Sequence, residues 1–199
     1  MTSLPTSKTL WLRYNKTIKD TLSCDRVSFA KDGFMEIRQS RPTDVDRMMD
    51  IYAGARAFMA RTGNPNQWGP TNWPPRALIE QDIRQGKSYV CVHEGRVVGT
   101  FFFDFGPDIE PTYANIEDGA WGSDRPYGVI HRLAGDGSVR GTGEFCIRWA
   151  MEGFGHLRVD THGDNRVMQG ILTGMGFTHR GTIYVEEDNY PRLAYDIGT

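Results

Sequence analysis

The chain has 199 residues, 39% of them apolar and 24% charged, and a formal net charge of −2. That length holds one ordinary domain with a sizeable core. The near-neutral charge excludes the basic footprint of a nucleic-acid or membrane-surface binder. No apolar run approaches the roughly 18 residues that span a bilayer. Three cysteines, Cys24, Cys91 and Cys146, are odd in number and widely spaced. They point to neither a disulfide framework nor a zinc site. A cytoplasmic location is expected and no metal is.

Residues 1–34 carry six Lys/Arg and three Asp without a sustained period. They read as a poorly ordered N-terminal extension, with a short docked helix over 9–19 as the rival. Nothing in them has the apolar core of a secretory signal. The domain is expected over 35–199, with Met35 as a candidate natural start. Residues 36–40 form a short strand. Thr43 then caps a helix with Asp46 as its capping-box partner, and Val45, Met48, Met49, Tyr52 and Met59 recur at helical spacing. A loop over 61–75 carries Trp68 and Trp73. A helix over 75–85 ends at Gly86. Strands at 88–93 and 96–105 flank the turn residues Glu94 and Gly95. After a polar, irregular stretch from 106 to about 125 come a buried strand at 127–135, a helix at 143–153, a strand at 157–161, a helix at 165–175 and a closing hairpin at 177–186 and 192–197. The order βααβββαβαββ predicts an α/β fold with a mixed sheet.

The stretch IHRLAGDGSVRGTGEF, residues 130–145, carries the chemistry. A strand, a glycine-rich turn and a helix in that order present backbone N–H groups at a helix N-terminus, which attract a phosphate or pyrophosphate. A simple turn leading into a helix is the bland alternative.

Here the chain resembles the GNAT superfamily of acyl-CoA-dependent N-acyltransferases. The family signature (R/Q)-x-x-G-x-(G/A) appears as Arg140-Gly141-Thr142-Gly143-Glu144-Phe145. RVDTHGDNRVM (158–168) resembles the strand and asparagine that follow, and LTGMGFTHRGTIY (172–184) resembles the family's GF ending. The NPNQW (64–68) and GEF (143–145) segments resemble a bacterial-type branch. Two positions depart from the pattern. Phe145 replaces the final Gly or Ala, and Leu172 stands where relatives often carry a tyrosine acid.

The resemblance implies a splayed central sheet and acetyl-CoA as co-substrate. It implies that Leu133, Ala134 and Gly135 pair with the pantetheine arm. Backbone N–H groups of Gly141, Thr142, Gly143, Glu144, Phe145 and Cys146 would take the pyrophosphate. Arg140 either faces the phosphates or pins the loop. Asn165 caps the next helix and touches the CoA arm. An N–H near Leu133 would polarise the thioester carbonyl.

An attacking amine must first lose a proton. Asp160, on the strand after the signature helix, is one candidate base, and a capping carboxylate is its alternative. His131 is another, expected to share a strand face with Leu133 and Gly135; a satisfied core histidine is the alternative. His162 reads as a loop-packing residue. Tyr184 is the candidate acid. Trp68, Trp73 and Trp121 either line the acceptor site or cover the core. Glu110, Glu117, Asp118 and Asp124 either favour a cationic acceptor or form a solvated loop.

The expected function is acetyl transfer from acetyl-CoA to a primary amine of a small molecule or peptide by direct attack in a ternary complex. A non-catalytic acyl-CoA-binding or sensing module is the alternative. A nucleotide-binding enzyme lacks its usual lysine and acidic partners here. Homodimerisation is left open.

Overall fold

The computed structural model describes residues 28–30, 33–185 and 190–198. Most of the predicted extension, including the rival helix over 9–19, lies outside the described residues. Within them, β1 (Ser28–Ala30) pairs antiparallel with β2 (Gly33–Gln39), so the sheet reaches back ahead of Met35. The remaining elements follow the predicted order: α1 (Val45–Arg61), α2 (Arg76–Arg84), β3 (Ser88–His93), β4 (Arg96–Gly106), β5 (Tyr127–Gly135), α3 (Thr142–Phe154), β6 (Leu157–His162), α4 (Arg166–Gly174), β7 (Thr178–Tyr184) and β8 (Pro191–Ile197). No helix among the described residues is long and apolar enough to cross a membrane.

The strands form one mixed sheet in the order β1-β2-β3-β4-β5-β6-β8-β7. The β5–β6 pair is parallel and its neighbours are antiparallel. On one face, α1 and α2 bury Met48, Ile51, Tyr52 and Ile79 against Val90, Val92, Val97 and Ala134. On the other, α3 and α4 bury Cys146, Ile147, Ala150 and Leu172 against Phe101, Ile130 and Leu157. The supposedly irregular stretch after β4 is also structural. Tyr113 is buried with Tyr127, Val129 and Ile183, and Trp121 packs on that cluster.

The start of α1 differs from the sequence reading. Residues Pro42–Asp44 form a 3-10 turn ahead of the helix. The N-cap residue of α1 is Asp44, not Thr43, and it makes no side-chain cap; its carboxylate instead turns back to accept the Arg41 amide at 2.7 Å and the Arg38 guanidinium at 2.7 and 3.0 Å. The Arg38 hydrogen bond holds the Asp44 carboxyl below its usual range. Three charge-assisted bonds hold this nearly buried carboxylate on the 3-10 turn, turned away from the amides of α1. Asp46 instead bonds Arg76 of α2.

Strand β5 is not regular. Phe102 faces His131 and Thr100 faces Ala134, so Arg132 and Leu133 together oppose Phe101. This is a β-bulge, with Arg132 at φ 54°. The bulge shifts the side-chain alternation by one. Ile130 and Leu133 therefore both meet the α3 side, and Ala134 meets the α1 side. The expectation that His131 shares a face with Leu133 is corrected accordingly: the His131 ring lies beside Phe102 and Tyr113.

Gly128 is the first of the two β5 residues that pair with β6. A Cβ there would lie 2.6 Å from Leu157 Cδ2 and 2.8 Å from Phe103 Cε2. Gly128→Val is expected to cost about 1–3 kcal/mol through overpacking. The change should appear as a lowered urea midpoint with an unchanged m-value.

Candidate active site

Strands β5 and β6 share only the pairs Gly128↔Leu157 and Val129↔Arg158. Beyond them the strands part, and a cleft of about 950 Å³ opens between them. Residues 130–135 of β5 line one wall, and Val159, Asp160 and Thr161 of β6 line the other. The first turn of α3 closes one end. The C-terminal part of α1, with Trp68 and Trp73 from the following loop, covers another side.

At the α3 end, Gly141 takes φ 81° and caps the helix, a left-handed conformation that glycine adopts without a Cβ penalty. The first helical amide bonded within the chain is that of Phe145, to the Gly141 carbonyl at 2.9 Å. Among the described residues, the amides of 139–144 have no partner. Residues 136–143 line the cleft apart from Ser138, and Arg140 is exposed there without an ion pair. The turn is braced from outside. Asp136 accepts the Ser138 amide at 2.8 Å and pairs with Arg47 of α1. Free amides, a helix N-terminus and an unpaired guanidinium around one turn fit a diphosphate.

At the other end stands a carboxylate–imidazole group. Glu110 Oε2 lies 2.8 Å from His131 Nε2. Glu110 Oε1 accepts the Thr112 hydroxyl at 2.7 Å. His131 Nδ1 lies 3.6 Å from Asp160 Oδ1, which accepts the buried Tyr113 hydroxyl at 2.8 Å. Burial acts to raise the Glu110 carboxyl, but the His131 contact and the Thr112 bonds outweigh it and bring it down to about 2. Burial and the adjoining Asp160 charge push the Tyr113 hydroxyl well up, so it stays a proton donor. An imidazole set between two carboxylates has the geometry of a proton acceptor oriented by its partners.

His131, Asp160, Arg140, Gly141, Thr142, Gly143, Asn165, Trp68 and Trp73 all line this cleft, as do Leu133, Ala134 and Gly135. Other expected residues lie elsewhere. Tyr184 is 44% exposed on β7, at the edge of the sheet, and outside the cleft lining. Trp121 donates its indole N–H to the Tyr113 carbonyl and stacks under Arg158 at 4.4 Å. Cys146 is fully buried, and Phe145 packs on the core, directed there by the helix. Glu144 is exposed and outside the lining. Leu172 is buried in the core. His162 is buried at the end of β6. Of the four loop acids, Glu110 alone lines the cleft.

Sequence reading missed the pairing of Glu110 with His131, because nothing local joins the two residues. It also missed Gln67. Asn165 caps α4 through Oδ1, accepting from Met168 N at 3.1 Å, and its Nδ2 donates to Gln67 Oε1 at 2.9 Å. Asn64 donates to the same oxygen at 2.7 Å. The NPNQW segment is thereby tied to the opposite wall of the cleft.

The depressed Glu110 carboxyl has a consequence for stability. A carboxyl that ionises near 2 when folded, against a usual 4.5, contributes stability above 4.5 that is lost as pH falls toward 2. Glu110→Gln is expected to cost on the order of 1 kcal/mol at pH 6. That difference from the parent protein should vanish as pH is lowered through this window, measured by urea unfolding at each pH.

No family model and no curated protein matches the sequence. Solved structures do. The chain is similar to a GNAT-family acetyltransferase from Streptococcus agalactiae, at 29% identity and a TM-score of 0.77 over 87% of this chain and 99% of that one. A GNAT-family acetyltransferase from Listeria monocytogenes aligns at 17% identity and a TM-score of 0.63, over 87% of this chain and 100% of that one. One from Bacillus cereus aligns at 13% identity and a TM-score of 0.55, over 84% and 99%. The order of elements, the mixed sheet and these neighbours agree: the chain has the fold of the GNAT acetyltransferases.

Proposed function

We propose that the protein is an acyl-CoA-dependent N-acetyltransferase, moving an acetyl group from acetyl-CoA to a primary amine of a small molecule or peptide by direct attack in a ternary complex. One observation carries this reading. A run of unbonded amides at a helix N-terminus and a carboxylate-flanked imidazole open into the same cleft.

Acetyl-CoA supplies an activated thioester carbonyl. The amides of residues 139–143, with Arg140, hold its diphosphate. The open edge of β5 at Leu133, Ala134 and Gly135 hydrogen-bonds the pantetheine arm, and the Leu133 amide donates to the carbonyl oxygen. Glu110 and Asp160 attract an acceptor that arrives as an ammonium. With Glu110 holding the Nε2 proton, His131 offers Nδ1 as the base, and Asp160 stabilises the imidazolium that forms. The CoA thiolate is a fair leaving group, so water suffices to protonate it once the C–S bond breaks, and neither Tyr184 nor a side chain at Leu172 is required.

The test is CoA release from acetyl-CoA across a panel of primary amines, with calorimetry of CoA binding alongside. Release should depend on the added amine. His131→Ala should lower kcat by roughly 10²–10⁴ with CoA affinity retained. Gly143→Phe should remove CoA binding, because its side chain would enter the cleft between Leu133 and Ile171. Binding of acetyl-CoA without turnover on any amine would instead favour a non-catalytic acyl-CoA sensor.

A further inference from the structure

Six described non-glycine residues have positive φ, and Arg132 alone lies inside a strand. It forms the bulge in β5, where the register jumps from Phe102↔His131 to Thr100↔Ala134. Its guanidinium pairs at 2.7 Å with Asp82, a 4% exposed aspartate on the inner face of α2. The same guanidinium stacks on the Phe102 ring at 4.7 Å. An arginine has no intrinsic preference for this backbone conformation. A buried carboxylate reaching from another element supplies one.

We propose that the Asp82–Arg132 ion pair is a positioning element that locks the β5 bulge and so presents the Leu133 amide to the thioester of the acyl donor. The proposal rests on the transferase reading above. Successive amides of a strand point to opposite edges. A bulge exchanges which amides after it face β4 and which face the open cleft. Were Arg132 to relax to a regular strand conformation, the backbone at Leu133, Ala134 and Gly135 would change sides. The pair thus acts through the backbone and touches no reacting atom itself.

The test is an amide NMR titration of the isotope-labelled protein with acetyl-CoA and with CoA, which lacks the carbonyl, paired with calorimetry. In the parent protein the Leu133 amide proton should move downfield with acetyl-CoA and not with CoA. Asp82→Asn should lose most of that shift, weaken CoA binding through the displaced pantetheine contacts while the diphosphate turn still holds it, and lower kcat roughly 10–100-fold. Asp82→Asn combined with Arg132→Gly should recover the shift, because glycine holds the left-handed conformation unaided. If Asp82→Asn does not fold, Arg132→Ala takes its place against Arg132→Gly. A Leu133 shift that persists in Asp82→Asn, or that the glycine variant fails to recover, overturns the proposal. A parent protein that binds no CoA would overturn the transferase reading itself, a distinguishable result.

Discussion

Two central parallel strands stop exchanging hydrogen bonds after two residue pairs, and the rest of the structure is arranged around that break. Beyond Val129 and Arg158 the facing edges of β5 and β6 hold backbone donors and acceptors that need partners. Each strand stays firmly held on its far side, β5 by β4 and β6 by β8 along its whole length. Apolar side chains from both walls and from α4, Ile130, Leu133, Val159 and Ile171 among them, line the opening. The gap is therefore a stable interruption of the sheet, with the geometry of an absent strand.

Charge is sorted along this opening. The α3 end offers unbonded amides and Arg140, and the opposite end offers Glu110 and Asp160 around His131. The arrangement separates an anionic donor from a cationic acceptor by field as well as by shape. Ion pairs anchored in neighbouring helices brace both parts. Arg47 of α1 holds Asp136 at the start of the amide-bearing turn, and Asp82 of α2 holds Arg132 in the bulge. The Asp82–Arg132 pair is the buried one of the two; such a pair adds little net stability, but breaking one partner costs about 3–5 kcal/mol. Its value here lies in geometry.

Much of the fold was legible along the chain. The 3.6-residue recurrence of Met48, Tyr52 and Met59, the alternation in the strands and the glycines at 86 and 141 marked the elements that the structure contains. The positive-φ glycine before α3 and the cap at Asn165 were legible for the same reason, since each acts within a few residues of itself. Where a local rule met a distant partner, it failed. Thr43 was the better cap by sequence, but the cap position falls one residue later at Asp44, whose carboxylate is taken by Arg38 of the adjoining strand and the Arg41 amide. Period-two alternation grouped His131 with Leu133, and the bulge separated them. Trp121 had the composition of a pocket residue, and Arg158 and Tyr113 claimed it for the core.

The sequence by itself determined which segments become helix, strand or turn, and where a helix N-terminus would offer its amides, because periodicity and backbone preference act over a few residues. Only the tertiary structure decided which side chains share the cleft. Glu110 meets His131 across 21 residues, Tyr113 meets Asp160 across 47 and Asp82 meets Arg132 across 50. Such pairs leave no periodic trace, since strand order, splay and one bulge set them, and those follow from how the whole core packs.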